Sequence, residues 1–170
     1  FRDVTAEVLE DHFCNTAVSE GEFDTWTRNI VGLRIANEML TPWRARLAAA
    51  FKGMDVKALI QWTRDSIRID ETRNPQHLCM SPLGVFSHRV TDSHSRNIFF
   101  VAALRSLGVP ARVDEVTGKV QWAEGTREQW NWRDVEWEKA SSVQPDQGIL
   151  CLQAEGSVPE YSTHYSLSKI

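Results

Sequence analysis

Ser93-His-Ser-Arg-Asn-Ile-Phe-Phe-Val-Ala-Ala-Leu-Arg-Ser-Leu-Gly-Val-Pro-Ala-Arg112 is the stretch whose reading decides the fold. Asp92 or Ser93 can cap a helix here, because a short side-chain oxygen accepts from the free amides of a first helical turn. Ile98, Val101, Ala102 and Leu104 recur along one side at helical spacing, and Phe99 and Phe100 widen the apolar face. Gly108 after Leu107 is a stop, since glycine takes the left-handed conformation without a Cβ clash. Pro110 cannot continue a helix and presses Val109 into extended geometry, so a strand opens at Ala111. The segment predicts a buried helix with a polar head that passes directly into a strand.

Upstream the pattern stays helical. Thr5 to Val18 carries Val8, Leu9 and Phe13 on one face and stops at Ser19-Glu20-Gly21. Phe23 to Leu40 repeats Trp26, Ile30, Leu33, Ile35 and Met39 near helical spacing. Thr41-Pro42 starts a third helix, with threonine as cap, that ends at Gly53. Asp55 caps a fourth that runs through Ile67, with Val56, Leu59, Ile60 and Trp62 for the core. Residues 70 to 92 read as one long loop, punctuated by Asn74-Pro75, Ser81-Pro82 and Gly84, of a length more often functional than neutral.

Downstream the period changes to two. Strands are expected at 111–116, 119–122, 131–138, 148–153 and 161–167, with Thr117-Gly118 turning the first into the second. Helices first and strands later give an α+β fold: N-terminal helices and a central buried helix packed on a C-terminal antiparallel sheet. The 170 residues fit one domain, with a helical half at about 1–108 and a sheet half at about 109–170.

The charge balance, 19 basic against 23 acidic residues, argues against a nucleic-acid surface, which needs a basic patch. No apolar run reaches the length of a membrane span. The chain starts without methionine and ends on an unfinished strand pattern, so it reads as a domain excised from a longer protein. Cys14, Cys79 and Cys151 form no C-x-x-C pair, which gives neither a zinc signature nor a disulfide framework. No metal and no cofactor is called for. Cys14 and Cys151 read as small buried hydrophobes, whereas Cys79, in the loop before Ser81-Pro82, is either a loop residue or a reactive thiol.

The 93–112 stretch closely resembles the central segment of transglutaminase-like domains, a branch of the papain-like cysteine-enzyme fold. There a cysteine opens the helix and Leu-Arg-x-Leu-Gly-Ile-Pro-Ala-Arg closes it. Counting back from Gly108 to the cysteine's position lands on Ser93. Ile30-Val-Gly-Leu-Arg-Ile-Ala-Asn-Glu-Met-Leu-Thr-Pro-Trp-Arg44, Ser81-Pro-Leu-Gly-Val85, Thr117-Gly-Lys-Val-Gln-Trp122 and Tyr161-Ser-Thr-His-Tyr165 resemble parts of large transglutaminase-domain proteins of gut-type bacteria. Those proteins are usually exported and continue into β-rich modules. The resemblance therefore implies an extracytoplasmic location. Where the catalytic residues survive, it implies acyl transfer or amide hydrolysis on peptide side chains or cell-wall peptide.

An active member needs a cysteine, a histidine that deprotonates it and an aspartate that orients the histidine. In the family pattern the histidine begins a strand and Trp-x-x-x-Asp follows. Trp132-Arg-Asp-Val-Glu136 fits the second part with glutamate in the aspartate's place, and the first part falls on Lys119-Val-Gln-Trp122. The resemblance maps the triad onto Ser93, Gln121 or Lys119, and Glu136. A serine hydroxyl needs an adjacent base, and glutamine has none. A lysine activates serine only when burial lowers its pKa, and a nearby Glu136 favours its charged form instead. The expectation is a degenerate, non-catalytic site in a binding or structural module. An active acyl-transfer or peptidase-type enzyme is the alternative.

His88, Asp92 and His94 gather around Ser93, either as a pocket with another base or weak metal site, or as loop polar groups and a helix cap. His12 reads as a solvated helix residue. Trp122, Trp130, Trp132 and Trp137 lie close in sequence, and Trp130 and Trp132 share a strand face. They form core or a cleft wall, or a platform on which sugars stack, which is a second alternative. Peptide, protein, cell-wall and glycan partners all stay open.

Overall fold

A computed structural model describes residues 3–16, 24–76 and 78–137. Within them the order is α1 (Ala6–Cys14), α2 (Thr25–Val31), α3 (Arg44–Ala50), α4 (Val56–Ser66), β1 (Arg68–Ile69), α5 (Pro82–His88), β2 (Val90–Thr91), α6 (Ser93–Ser106), β3 (Ala111–Val113), β4 (Val120–Gly125) and β5 (Trp130–Asp134). The last three strands form an antiparallel sheet in the order β3-β4-β5, and β1 pairs with β2 in parallel. This is the α+β arrangement that the order of patterns predicted.

The helix at the centre of the sequence argument is the centre of the fold. Every residue from Ile98 to Leu104 is 0% exposed. A helix apolar on all sides must be enclosed on all sides, and α6 touches α2, α3, α5, β3 and β4. Phe99 meets Phe51, Trp62 and Phe86 in one aromatic cluster. Asp92 caps the helix by accepting from the Ser95 amide at 2.9 Å. At the other end the Val109 amide bonds Leu104 O and the Gly108 amide bonds Arg105 O, with Gly108 at φ 77°. That paired pattern needs a left-handed residue, which is why glycine stands there.

Several expectations are corrected. The helix forecast for 23–40 stops at Val31. Gly32 lies against Arg105, where a Cβ would fall 2.9 Å from Nη1. Arg105 donates to the carbonyls of Gly32, Arg34 and Ala111 and so draws the chain off its helical course. The following loop closes around buried Glu38, whose carboxylate accepts from the amides of Ile35 and Ala36 at 2.7 and 2.8 Å. Met39, counted on a helical face, is exposed.

Thr41 does not cap the next helix. Its hydroxyl has no hydrogen-bond partner among the described residues, and the amides of Arg44 and Ala45 are capped by Asp11 of α1 at 2.7 and 3.0 Å. The loop expected at 70–92 contains β1's partner strand and α5, which Ser81 caps and Pro82 opens. His12 is 1% exposed, packed edge-on to Trp43, and Cys14 is exposed, the reverse of both readings. The third expected sheet strand runs from Trp130 to Asp134, not from 131 to 138. The strands expected at 148–153 and 161–167 lie outside the described residues.

Sheet register fixes what each face carries, because side chains alternate along a strand. Ala111 pairs with Trp122, Val113 with Val120, and Gln121 with Asp134. Ala111, Val120 and Val135 belong to the core cluster that surrounds α6, with Val113 and Trp122 packed against it. Arg112, Gln121, Trp132 and Asp134 therefore share the opposite face.

Candidate functional site

Ser93 is the first residue of α6, half-buried, and its amide donates to Glu71 Oε1 at 2.9 Å. Around this helix head the 70–81 segment is tied down by side chains. Asn74 Nδ2 donates to Asp92 Oδ2 at 2.9 Å and to Leu78 O at 2.8 Å. The Ser95 hydroxyl donates to Asp92 Oδ2 at 2.8 Å and accepts from the Met80 amide at 3.0 Å. Burial pushes the Asp92 carboxyl up, but the bonds from Ser95 and Asn74 outweigh it and hold the group below the ordinary carboxylate value. The tethered segment leaves a cleft of about 520 Å³ whose lining includes Asp70, Asn74, Leu78, Cys79, His88 and Asp92.

On the sheet, Lys119 Nζ lies 2.9 Å from Asp134 Oδ2, and Gln121 Nε2 donates to Asp134 Oδ1 at 2.8 Å. Arg112 Nε donates to Gln121 Oε1 at 3.0 Å. The carboxylate that meets both candidate positions is thus Asp134. Its bond with Lys119 raises the ammonium pKa, which favours the charged form and removes the lysine as a resting base. Glu136 is exposed, and its backbone carbonyl accepts from Arg64. Trp130-Asn-Trp-Arg-Asp134 is also a Trp-x-x-x-Asp, two residues ahead of the one ending at Glu136. That overlapping motif was the available signal for Asp134.

The side of β4 turned toward α6 carries Val120, 1% exposed. Lys119 and Gln121 have the other parity and lie with Asp134 on the far face. Among the described residues the Ser93 hydroxyl makes no hydrogen bond to Lys119, Gln121 or Glu136.

The pocket residues separate into two groups. His88 closes α5, exposed, at the cleft. His94, exposed in the first turn of α6, places Nε2 2.9 Å from Asn37 Oδ1, and the Cys79 thiol donates to the same oxygen at 2.9 Å. Burial, with the charges of Glu38 and Asp92, pushes the Cys79 thiol above its usual pKa, and the Asn37 contact works against that. Asn37 was read as part of a helix, and nothing in its sequence context marked it. Among the described residues no group of three or more His, Cys, Asp and Glu side chains could hold a metal ion.

Trp130 packs edge-on against both Trp26 and Trp132, with centroids 5.8 and 4.9 Å apart. The Arg112 guanidinium covers the Trp132 ring at 4.3 Å. Trp122 is half-buried on the α6 side, and Trp137 packs edge-on to Phe100 with Arg96 over its ring.

The model of the transglutaminase-like superfamily core matches residues 46–139, more than half of the chain. The protein belongs to the transglutaminase-like superfamily. No curated protein and no solved structure matches the chain. Among the described residues no helix is long and apolar enough to cross a membrane.

Proposed function

We propose that this domain has lost catalysis at the family's position and serves as a binding or structural module of a larger exported protein. Its cleft at the head of α6 takes a peptide-like ligand. The observation that carries this reading is the residue facing α6 from the sheet: Val120, which cannot move a proton. Ser93 at the helix head has partial positive charge nearby, but a serine hydroxyl ionises too weakly for that alone to make it a nucleophile. Lys119 and Gln121 are bound to Asp134 instead. The cleft supports ligand binding by its build: polar groups fixed by Asp92 and Asn74 beside the apolar side chains of Leu78, Met80 and Val90.

The test is titration of the full chain, followed by amide NMR, with a glutamine-containing peptide, a cell-wall peptide and a soluble oligosaccharide. Peptide is expected to shift Asn74, Cys79 and His88. Shifts confined to Trp130 and Trp132 and produced by the oligosaccharide alone would replace this reading with a glycan-binding one.

A further inference from the structure

A second cavity, of about 520 Å³, shares no lining residue with the cleft at the head of α6. Four arginines line it from four segments: Arg28 of α2, Arg34 of the loop that follows, Arg105 near the end of α6 and Arg112 of β3. Among the described residues its lining carboxylates are Asp114 and Glu115. Arg105 is 5% exposed. Its Nε and Nη1 donate to the carbonyls of Ala111, Gly32 and Arg34, which carry no net charge. Its Nη2 makes no hydrogen bond among the described residues, and no carboxylate there pairs with it. We infer that this cavity binds a small organic oxyanion, a phosphate or carboxylate head on a compact apolar body, with Arg105 and Arg112 holding the head.

The charges around Arg105 leave it short of a counter-ion. Arg44, itself buried, donates Nη1 to the Arg105 carbonyl at 3.0 Å and adds a second positive charge. Glu38 opposes the two, but its carboxylate is held by the amides of Ile35 and Ala36. Burial and the charge of Arg44 lower the Arg105 pKa to about 10, with Glu38 working against them, so the guanidinium stays charged at neutral pH. Arg34 is paired with Asp3. Asp114 Oδ2 accepts from the Thr117 amide and hydroxyl, and its Oδ1 lies 3.7 Å from Arg112 Nη2. Arg112 Nε donates to Gln121, and Nη1 makes no hydrogen bond among the described residues. Glu115 is exposed. A guanidinium fork meets phosphate or carboxylate through paired, charge-assisted hydrogen bonds, and a surrounding of low dielectric strengthens them. The apolar body has a wall of its own in Ile35, Val113 and Val116, the last 92% exposed. A few converging polar groups beside apolar side chains are the general build of a small-molecule site.

The experiment titrates the full chain with phenyl phosphate, benzoate and neutral benzyl alcohol, followed by NMR of the backbone amides and the arginine Nε–H groups. Saturable shifts at Gly32, Val113 and the Arg105 Nε–H are expected from phenyl phosphate, benzoate or both, and the tighter of the two names the head. Arg112→Gln, its fold checked by circular dichroism, should weaken binding about tenfold or more, the worth of a charged hydrogen bond. Arg28→Gln, at an exposed position of α2, should weaken it as well, and carries the comparison if Arg112→Gln does not fold. Arg133→Gln removes a positive charge paired with Glu124 on β4, and should change the affinity less than about twofold. Absence of a saturable shift from both anions would overturn the inference. So would benzyl alcohol binding as tightly as the anions, or shifts confined to Asn74, Cys79 and His88. Losses in the cavity variants no larger than in Arg133→Gln would overturn it too, since they would mark a response to net charge alone.

Discussion

Asp92→Ala removes the group on which the head of α6 and the wall of the cleft both depend. Oδ1 accepts from the Ser95 amide, and Oδ2 accepts from the Ser95 hydroxyl and from Asn74 Nδ2. Ser95 is 0% exposed, so water cannot replace what is lost. Loss of an N-cap costs about 1 kcal/mol, and a charge-assisted hydrogen bond left open inside adds about 1.5–3 kcal/mol. The expected total is about 2–4 kcal/mol. Asp92→Asn keeps an acceptor for the Ser95 amide but sets an NH2 where Oδ2 accepts from Ser95 and Asn74, so it should cost about 1 kcal/mol less than Asp92→Ala, the worth of the cap. Urea unfolding reads both as a fall in midpoint at unchanged slope. The folded-state pKa of Asp92 is lowered from 3.8, so the contribution is present above that pH and fades as acid takes the group through its folded value. The gap between natural and Ala proteins should close in that acid range. A loss below about 0.5 kcal/mol for Asp92→Ala, or an equal loss for Asp92→Asn, would refute the cap argument.

Three further outcomes follow from the packing and the site. Gly32→Ala places a Cβ 2.9 Å from Arg105 Nη1 and 3.0 Å from Arg28 O; thermal melting should show a loss of about 1–3 kcal/mol. His12 is held neutral by burial, with Nε2 at Thr41 O and Nδ1 accepting from Arg44. Its folded pKa lies below 6.5, so the unfolded chain binds the proton first and stability falls as pH drops through that value; His12→Gln should flatten the fall in melting temperature. Ser93→Cys puts a thiol in the field of α6, and iodoacetamide kinetics should give it a pKa below the free value of about 8.5. A glutamine-peptide assay of the same variant should show no new turnover, since Val120 still faces the helix.

The parts of the fold written in local patterns were legible. The apolar run, the Gly108 stop and the Asp55 cap each act within a few residues and mark α6 and α4 directly. The helix forecast through Leu40 failed because its end is set by Arg105, distant in sequence, reaching back to the Gly32 and Arg34 carbonyls. Likewise Asp11 caps α3 from another helix, which no window around Thr41 contains. Helix α5 is seven residues with two buried, too short to show a period, although Ser81-Pro82 announced its start. In the site, alternation placed Lys119 and Gln121 on one face but could not say which face packs on α6. The burial of Val120 and Val135 settles that. The two overlapping Trp-x-x-x-acid motifs were separable only by register, which pairs Gln121 with Asp134. The meeting of Asn37, Cys79 and His94 joins three distant segments and left no trace in any of them.

The central claim, that Ser93 performs no chemistry, is tested most directly by comparing the natural chain with Ser93→Ala in an acyl-transfer assay on a glutamine-donor peptide. The account predicts the same rate for both, whatever that rate is. A rate that is present in the natural chain and lost in Ser93→Ala would contradict it.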